Sequence, residues 1–324
     1  MLDLLTIGDI KLNSYIVIPE ASVMCELKMP ECRLCISYGK KIPVDAFVTQ
    51  IAGSAPNVAI GVAKYGLNTA VFSIMGEDDT YEHAVRFLNK HKVGTNYVHT
   101  QKNISSSTSV VLNFKGESTL FVAHAKAEYR LPKKMPASKY LHISELGEGY
   151  EKLFIEATKI AVAKKSLISF NPGAIQLKER KKELMGLIAF TDVLFLNMTE
   201  ARGLIGMQNG EEIHALMAGL KNLGPRIVVV TDGKNGAYAF DGKQLSYAPM
   251  FPGELVESTG AGDAFSAGFI GAILKKKSPV EALKFGAVNA ASVVGHVGPT
   301  AGLLRPTQIS TALKKHPSYK TQEL

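Results

Sequence analysis

Across residues 140–231, short and nearly unbroken apolar runs alternate with stretches of helical periodicity. The runs lie at 140–143, 167–170, 193–196 and 227–231, and the helical patterns between them span 151–164, 178–188 and 211–220. Strands that are apolar throughout, and separated by helices, need cover on both faces, which means a parallel sheet between helical layers. The same rhythm opens the chain, with a strand at 4–8 ending on Gly8, a helix at 56–65, a strand at 70–74 and a helix at 81–90. A hairpin at 236–240 and 245–247 turns on Asp241-Gly242-Lys243, and helices at 261–274 and 279–294 close the pattern. The expected class is α/β, a doubly wound and mostly parallel central sheet flanked by helices.

Residues 14–50 break the rhythm. Short β-prone pieces at 15–18, 35–38 and 46–50 are divided by Pro19, Pro30, Gly39 and Pro43, and 107–121 is again β-rich. These read as a small antiparallel sheet beside the first strand. The expected division is a core of 1–13 and 51–324, with 14–50 and part of 105–122 forming the appendage. Apolar residues at 46% and charged residues at 20% exclude a disordered chain. No apolar run reaches the length of a membrane span, and the start lacks a basic segment before an apolar stretch, so a cytoplasmic protein is expected. The net charge of +8 is scattered in short clusters near 133–134, 164–165, 178–182 and 275–277. A nucleic-acid surface would gather it into one patch, so no nucleic-acid or membrane partner is expected. Cys25, Cys32 and Cys35 fall within eleven residues. An odd count without an export signal argues against a disulfide framework, and no fourth ligand completes a zinc site, so three thiols are expected.

The segment Glu257-Ser258-Thr259-Gly260-Ala261-Gly262-Asp263-Ala264-Phe265 carries the strongest chemical signal. Two glycines and an alanine leave the backbone bare at a helix start, where N–H groups and the dipole attract an anion. Asp263 follows in the first turn. A carboxylate beside an anion pocket is what draws a proton from a hydroxyl attacking a γ-phosphate. An acidic helix cap accounts for these residues equally well when they are taken alone. Three further segments recur at element boundaries: Gly53-Ser54-Ala55-Pro56-Asn57, Asn197-Met198-Thr199-Glu200, and Thr231-Asp232-Gly233-Lys234-Asn235-Gly236. Singly they read as helix caps or a β-turn. No G-x-x-x-x-G-K-[ST] occurs, no G-x-G-x-x-G follows the first strand, and no H-E-x-x-H is present.

In this order the four segments resemble those of the ribokinase-like (PfkB) carbohydrate kinases, from Gly8 to about Leu304. The resemblance implies ATP-dependent transfer of the γ-phosphoryl group to a hydroxyl of a sugar or related polyol, with ATP and Mg²⁺, and in some members a monovalent cation. It implies Asp263 as the base and Gly260, Ala261 and Gly262 as the anion hole. Asn197 and Glu200 would hold the Mg²⁺–phosphate assembly, Glu200 through water. Thr231 and Gly233 would approach the phosphates, and Asn289 the adenine. Gly53 and Asn57 match the acceptor loop, and Glu145 is a further candidate for a hydroxyl contact. Asn13 stands where the family usually has an Asp, and Asp9 is its candidate substitute. Glu257 replaces another usual Asp, which bears on the monovalent-cation site, and Ala125-Lys126-Ala127-Glu128 replaces the usual Gly-Ala-Asn. The small sheet becomes a lid, and its exposed face the contact of a homodimer. Sugar, nucleoside and sugar-phosphate acceptors stay open. The run Ser105-Ser106-Ser107-Thr108-Ser109 has no Arg and suits an unphosphorylated acceptor, whereas Lys28, Arg33, Lys40 and Lys41 are the cations a phosphate would need. A non-catalytic binding protein on the same fold is the rival from another class, and the intact Asp263 segment argues against it.

Overall fold

A computed structural model describes residues 1–25, 32–208 and 212–324. Its main sheet has ten strands, ordered Gln322–Glu323, Leu245–Ala248, Ala237–Phe240, Ile227–Thr231, Val193–Asn197, Leu167–Phe170, Ser138–Ile143, Leu2–Ile7, Thr69–Gly76 and Gly94–Gln101. From Ile227–Thr231 to the last of these, every pairing is parallel, and the three pairings at the other edge are antiparallel. Successive residues of one strand serve opposite cores. Leu5, Leu141, Leu194 and Val228 pack with the helices Glu151–Lys164, Lys182–Ala189 and Ile213–Asn222. Their neighbours Leu4, Tyr140, Val193 and Val229 pack with Ser54–Ala63, Ala261–Leu274 and Pro279–Val294. The unbroken apolar runs are therefore buried on both sides, as a doubly covered sheet requires.

The helical pattern at 178–188 is in fact two helices, Ala174–Glu179 and Lys182–Ala189, because Arg180 takes a left-handed conformation (φ +49°) that ends the first. The pattern at 211–220 is observed as Ile213–Asn222, and Glu211 lies outside the described residues. The edge strand Gly94–Gln101 and the helices Met198–Ile205 and Pro306–Lys315 carry too little periodicity to stand out in sequence.

The small sheet is four-stranded, ordered Ala46–Ala52, Lys11–Val17, Ser107–Phe114 and Glu117–Ala123. Its outer pairings are antiparallel, but Lys11–Val17 and Ser107–Phe114 run parallel. They follow Leu2–Ile7 and Gly94–Gln101, which run in the same direction in the main sheet, and so enter the small sheet in one direction. The piece at 35–38 does not join it. Ser22–Met24 instead pairs with Arg33–Cys35 as a separate ribbon, with Met24 opposite Arg33. That register sets Cys25 opposite Cys32, with Cα atoms 4.3 Å apart, and the two form a disulfide. The expectation of three thiols is corrected by this hairpin, and only Cys35 stays free. Among the described residues no helix is long and apolar enough to cross a membrane.

Candidate active site

Asp263 sits in the first turn of Ala261–Leu274. Its two carboxylate oxygens are each held by a donor from the helix Ser54–Ala63. The Ser54 hydroxyl donates to Oδ1 at 2.6 Å, and the Asn57 amide donates to Oδ2 at 2.8 Å. Burial pushes the Asp263 carboxyl up, against the lowering effect of these two hydrogen bonds and of Lys11, while the Glu145 charge adds to the rise. Two glycines make the junction sterically feasible. A Cβ at Gly260 (φ +82°) would come within 2.4 Å of Pro299, and one at Gly53 (φ +122°) within 2.3 Å of the Asp9 carbonyl. The Ala261 N–H already meets the Ser258 carbonyl at 3.3 Å. At Gly262 no atom of the described residues would lie within 4 Å of a Cβ, so the backbone is open to a ligand there.

A cavity of about 150 Å³ is lined by Asn171, Phe195, Leu196, Asn197, Glu200, Thr231, Gly262 and Ser266. Four residues singled out from sequence thus meet around one space. Two strand ends (Asn197, Thr231) and two helix starts (Glu200, Gly262) supply them. Asn197 and Glu200 also cap the helix Met198–Ile205 reciprocally: the Glu200 N–H donates to Asn197 Oδ1 at 2.8 Å, and the Asn197 N–H to Glu200 Oε2 at 2.9 Å. The capping role and the cavity role therefore coexist. Burial lifts the Glu200 carboxyl to about 7, despite the Asn197 N–H, and the Glu145 charge adds to the lift. Gly233 lies in a short 3₁₀ turn, Gly233–Asn235, next to this wall and does not line it.

Asn289 is not on the cavity surface. It is fully buried, donating to the Ala264 carbonyl at 2.7 Å and accepting from the Leu304 N–H at 2.9 Å. It ties two helices and a loop together, so its side chain faces neither solvent nor this cavity. Asn57, read as an acceptor contact, spends its amide on Asp263. Asn13 is buried between the Ser109 hydroxyl, which donates to Oδ1 at 2.7 Å, and the Tyr15 hydroxyl, 3.2 Å from Nδ2.

Around Glu145 the tertiary structure assembles a charged network. Lys11 Nζ reaches Glu145 Oε2 at 2.5 Å, and His124 Nε2 lies 3.4 Å from Oε1. His124 Nδ1 meets Asp9 Oδ2 at 2.8 Å, and the Tyr129 hydroxyl donates to Asp9 Oδ1 at 2.8 Å. The Asp9 side chain is 1% exposed and saturated, whereas His124 and Glu145 stay 14% and 27% exposed. Burial works against ionising both of the latter and is outweighed in each. Asp9 and Glu145 raise His124 to about 9, and the partners His124 and Lys11 lower Glu145 to about 2. Sequence reasoning missed Lys11, His124, Tyr129 and Ser54. The only signal was the departure at residues 125–128, where Ala125 and Ala127 plug the core and lead into Tyr129.

The family model for pfkB family carbohydrate kinases matches residues 16–306. The chain belongs to this family. Among curated relatives it is 25% identical to the ATP-dependent 6-phosphofructokinase of Thermoanaerobacterium thermosaccharolyticum (81% of this chain, 84% of that protein), and 24% identical to the nucleoside kinase of Methanocaldococcus jannaschii (82% and 85%). A fructokinase of Klebsiella pneumoniae is 29% identical over 68% of this chain and 76% of its own length. The fold is shared with Arabidopsis thaliana ribokinase complexed with ribose and ATP, at TM-score 0.78 and 22% identity, covering 97% of this chain and 99% of that one. A kinase of this family is an ATP-dependent phosphotransferase acting on a sugar or nucleoside hydroxyl, and this chain is one.

Proposed function

We propose that this kinase phosphorylates an unphosphorylated sugar or nucleoside, with Asp263 as the general base. The observation that carries the reading is the Asp263 carboxylate, fixed by Ser54 and Asn57 at a bare helix start that shares its cavity with Asn197, Glu200 and Thr231. A base aligned before the acceptor arrives avoids the cost of orienting it during reaction. Its raised pKa makes it a stronger proton acceptor than an ordinary carboxylate. The open backbone at Gly262 and the helix dipole stabilise charge on the transferring group.

Glu200 suits Mg²⁺, since a carboxyl held near neutrality by burial would be drawn into ionisation by a cation. Among the described residues no cluster of three or more His, Cys, Asp or Glu side chains could hold a metal, so the remaining ligands would be phosphate oxygens and water. Bound Mg²⁺ would neutralise phosphate charge. Glu257 suits a monovalent cation: it is buried, one oxygen accepts from the Gly298 N–H at 2.8 Å, and the other has no hydrogen-bond partner among the described residues.

Two features support an acceptor without a phosphate. Lys11 and His124 are already matched by Glu145 and Asp9, and a phosphate dianion needs cations that are not. Arg33, Lys40 and Lys41 are exposed, and Lys28 lies outside the described residues. The 6-phosphofructokinase relative argues for the opposite choice. We assign 14–50 with part of 105–122 to a lid over a core of 1–13 and 51–324. One face of the small sheet carries Lys11, Asn13 and Ser109, and the other exposes Phe47, Val110 and Phe121. That apolar face is our candidate homodimer contact. ATP as donor supports a cytoplasmic location, with the Cys25–Cys32 disulfide the one feature at odds with a reducing compartment.

The test is ADP release with ribose, fructose, 2-keto-deoxy sugars, adenosine, inosine and cytidine, each beside its phosphorylated counterpart where one exists. An unphosphorylated acceptor is expected to lead in kcat/KM. A phosphorylated partner ahead by more than about tenfold refutes that choice. Sedimentation is expected to give a dimer that Phe121→Glu splits, and a fully active monomer at micromolar concentration excludes the contact.

A further inference from the structure

A larger cavity, of about 470 Å³, shares no residue with the one beside Asp263. It lies between the small sheet and the helix Asp79–Lys90, with Leu12, Ile51 and Phe87 as an apolar floor. His83, Arg86, Lys90 and His91 line it from the helix and the turn that follows, and Gln50 and Thr300 close the far side. Among the described residues no carboxylate lines it. Arg86 reaches Glu82 at 3.3 Å, but both side chains are largely exposed, and such a pair holds the guanidinium only weakly. His91 Nδ1 meets the Phe87 carbonyl at 2.8 Å.

The far wall leads to the catalytic helix. Gln50 donates to the Thr300 hydroxyl at 2.8 Å, which links a strand of the small sheet to the loop 298–301. In that loop Pro299 packs against Gly260, and the Gly298 N–H is held by Glu257. Residues 298–301 therefore touch the groove, the small sheet and the start of the helix that bears Asp263.

We propose that this groove is a second site, for a small organic molecule bearing a phosphate group, and that its occupant acts on turnover through the Gln50–Thr300 contact. A guanidinium binds phosphate with two parallel hydrogen bonds, and the Lys90 ammonium adds charge beside it. The apolar floor takes the carbon skeleton. The volume is in the range of small-molecule sites, about 300–1,000 Å³. The network at Glu145 differs in kind, because each of its cations already has a carboxylate. A ligand that bridges the helix Asp79–Lys90 and the sheet fixes their separation, and Gln50 passes that constraint to the loop behind Gly260.

The probe is phenyl phosphate, titrated calorimetrically into the full chain saturated with Mg²⁺ and a non-hydrolysable ATP analogue. Wild type and Asp263→Asn are expected to bind alike, and Arg86→Ala/Lys90→Ala at least about tenfold more weakly. In turnover assays phenyl phosphate is expected to shift the acceptor KM by about fivefold in wild type and to leave it unchanged in Gln50→Ala. Equal affinity of wild type and the double variant, or loss of binding in Asp263→Asn, overturns the site. Binding with an unmoved KM in wild type overturns the link. The effect on turnover rests on the kinase assignment, but the binding does not. A chain inactive on every acceptor would undo that assignment and leave the titration standing.

Discussion

The nucleotide side and the acceptor side that we propose for this kinase are built by different means. On the proposed nucleotide side, Asn197 with Glu200, Thr231, and Gly262 sit at element ends, and each group is contiguous in the chain. Much of the work there falls to backbone and caps. On the proposed acceptor side, Asp9, Lys11, His124, Tyr129 and Glu145 come from three separate stretches and hold one another through side-chain charge and hydrogen bonds. A phosphate is the same in every ATP, so bare N–H groups suffice to hold it. An acceptor has to be told from its rivals, and that takes side chains in a pattern peculiar to the chain.

Asp263 lies between the two sides, and its loss is expected to have the largest effect. Asp263→Asn should lower kcat by ~10²–10⁴-fold while leaving the MgATP Kd within about twofold. Retention of half the wild-type turnover would end its assignment as base. Next come the paired losses that separate the sides. Glu145→Gln leaves Lys11 and His124 without their shared partner and should lower acceptor kcat/KM by about 10–100-fold with MgATP KM unmoved. Glu200→Gln should do the reverse, raising MgATP KM and sparing the acceptor. If both variants moved both constants equally, the division into two sides would fail.

Protonation sharpens the contrast further. Glu200 carries a raised pKa of about 7, so below that pH it is protonated and offers Mg²⁺ no charge. MgATP affinity should therefore fall by up to about tenfold for each pH unit below 7, whereas Mg²⁺-free ADP should lose far less. Calorimetry from pH 5.5 to 8.5 checks this, and parallel curves for the two ligands would contradict it. The smallest effect concerns stability. His124 has a folded-state pKa raised to about 9 from an ordinary value of 6.5. Its contribution is complete below 6.5 and is lost as pH rises through 9. The Tm gap between wild type and His124→Gln should be a few degrees at pH 6 and close by pH 10. A gap independent of pH would mean that His124 acts by packing alone.

The chain's own order of residues determined the doubly covered parallel sheet, because apolar runs buried on both faces have no other stable arrangement. It also determined the Asp263 helix start and the family, since both depend on neighbours in sequence, and glycines at bare helix ends are visible without a structure. Register and long-range contact decided the rest. The hairpin register paired Cys25 with Cys32, which spacing alone could not foretell. Asn289 and Asn13 were turned inward to saturate buried polar groups, because an unmet hydrogen bond in the core costs more than a lost contact with ligand. Lys11 and His124, 113 positions apart, became functional candidates only when folding set both against Glu145. Charges at that separation leave no periodicity in a sequence, and their pairing exists only once the fold has excluded water from between them.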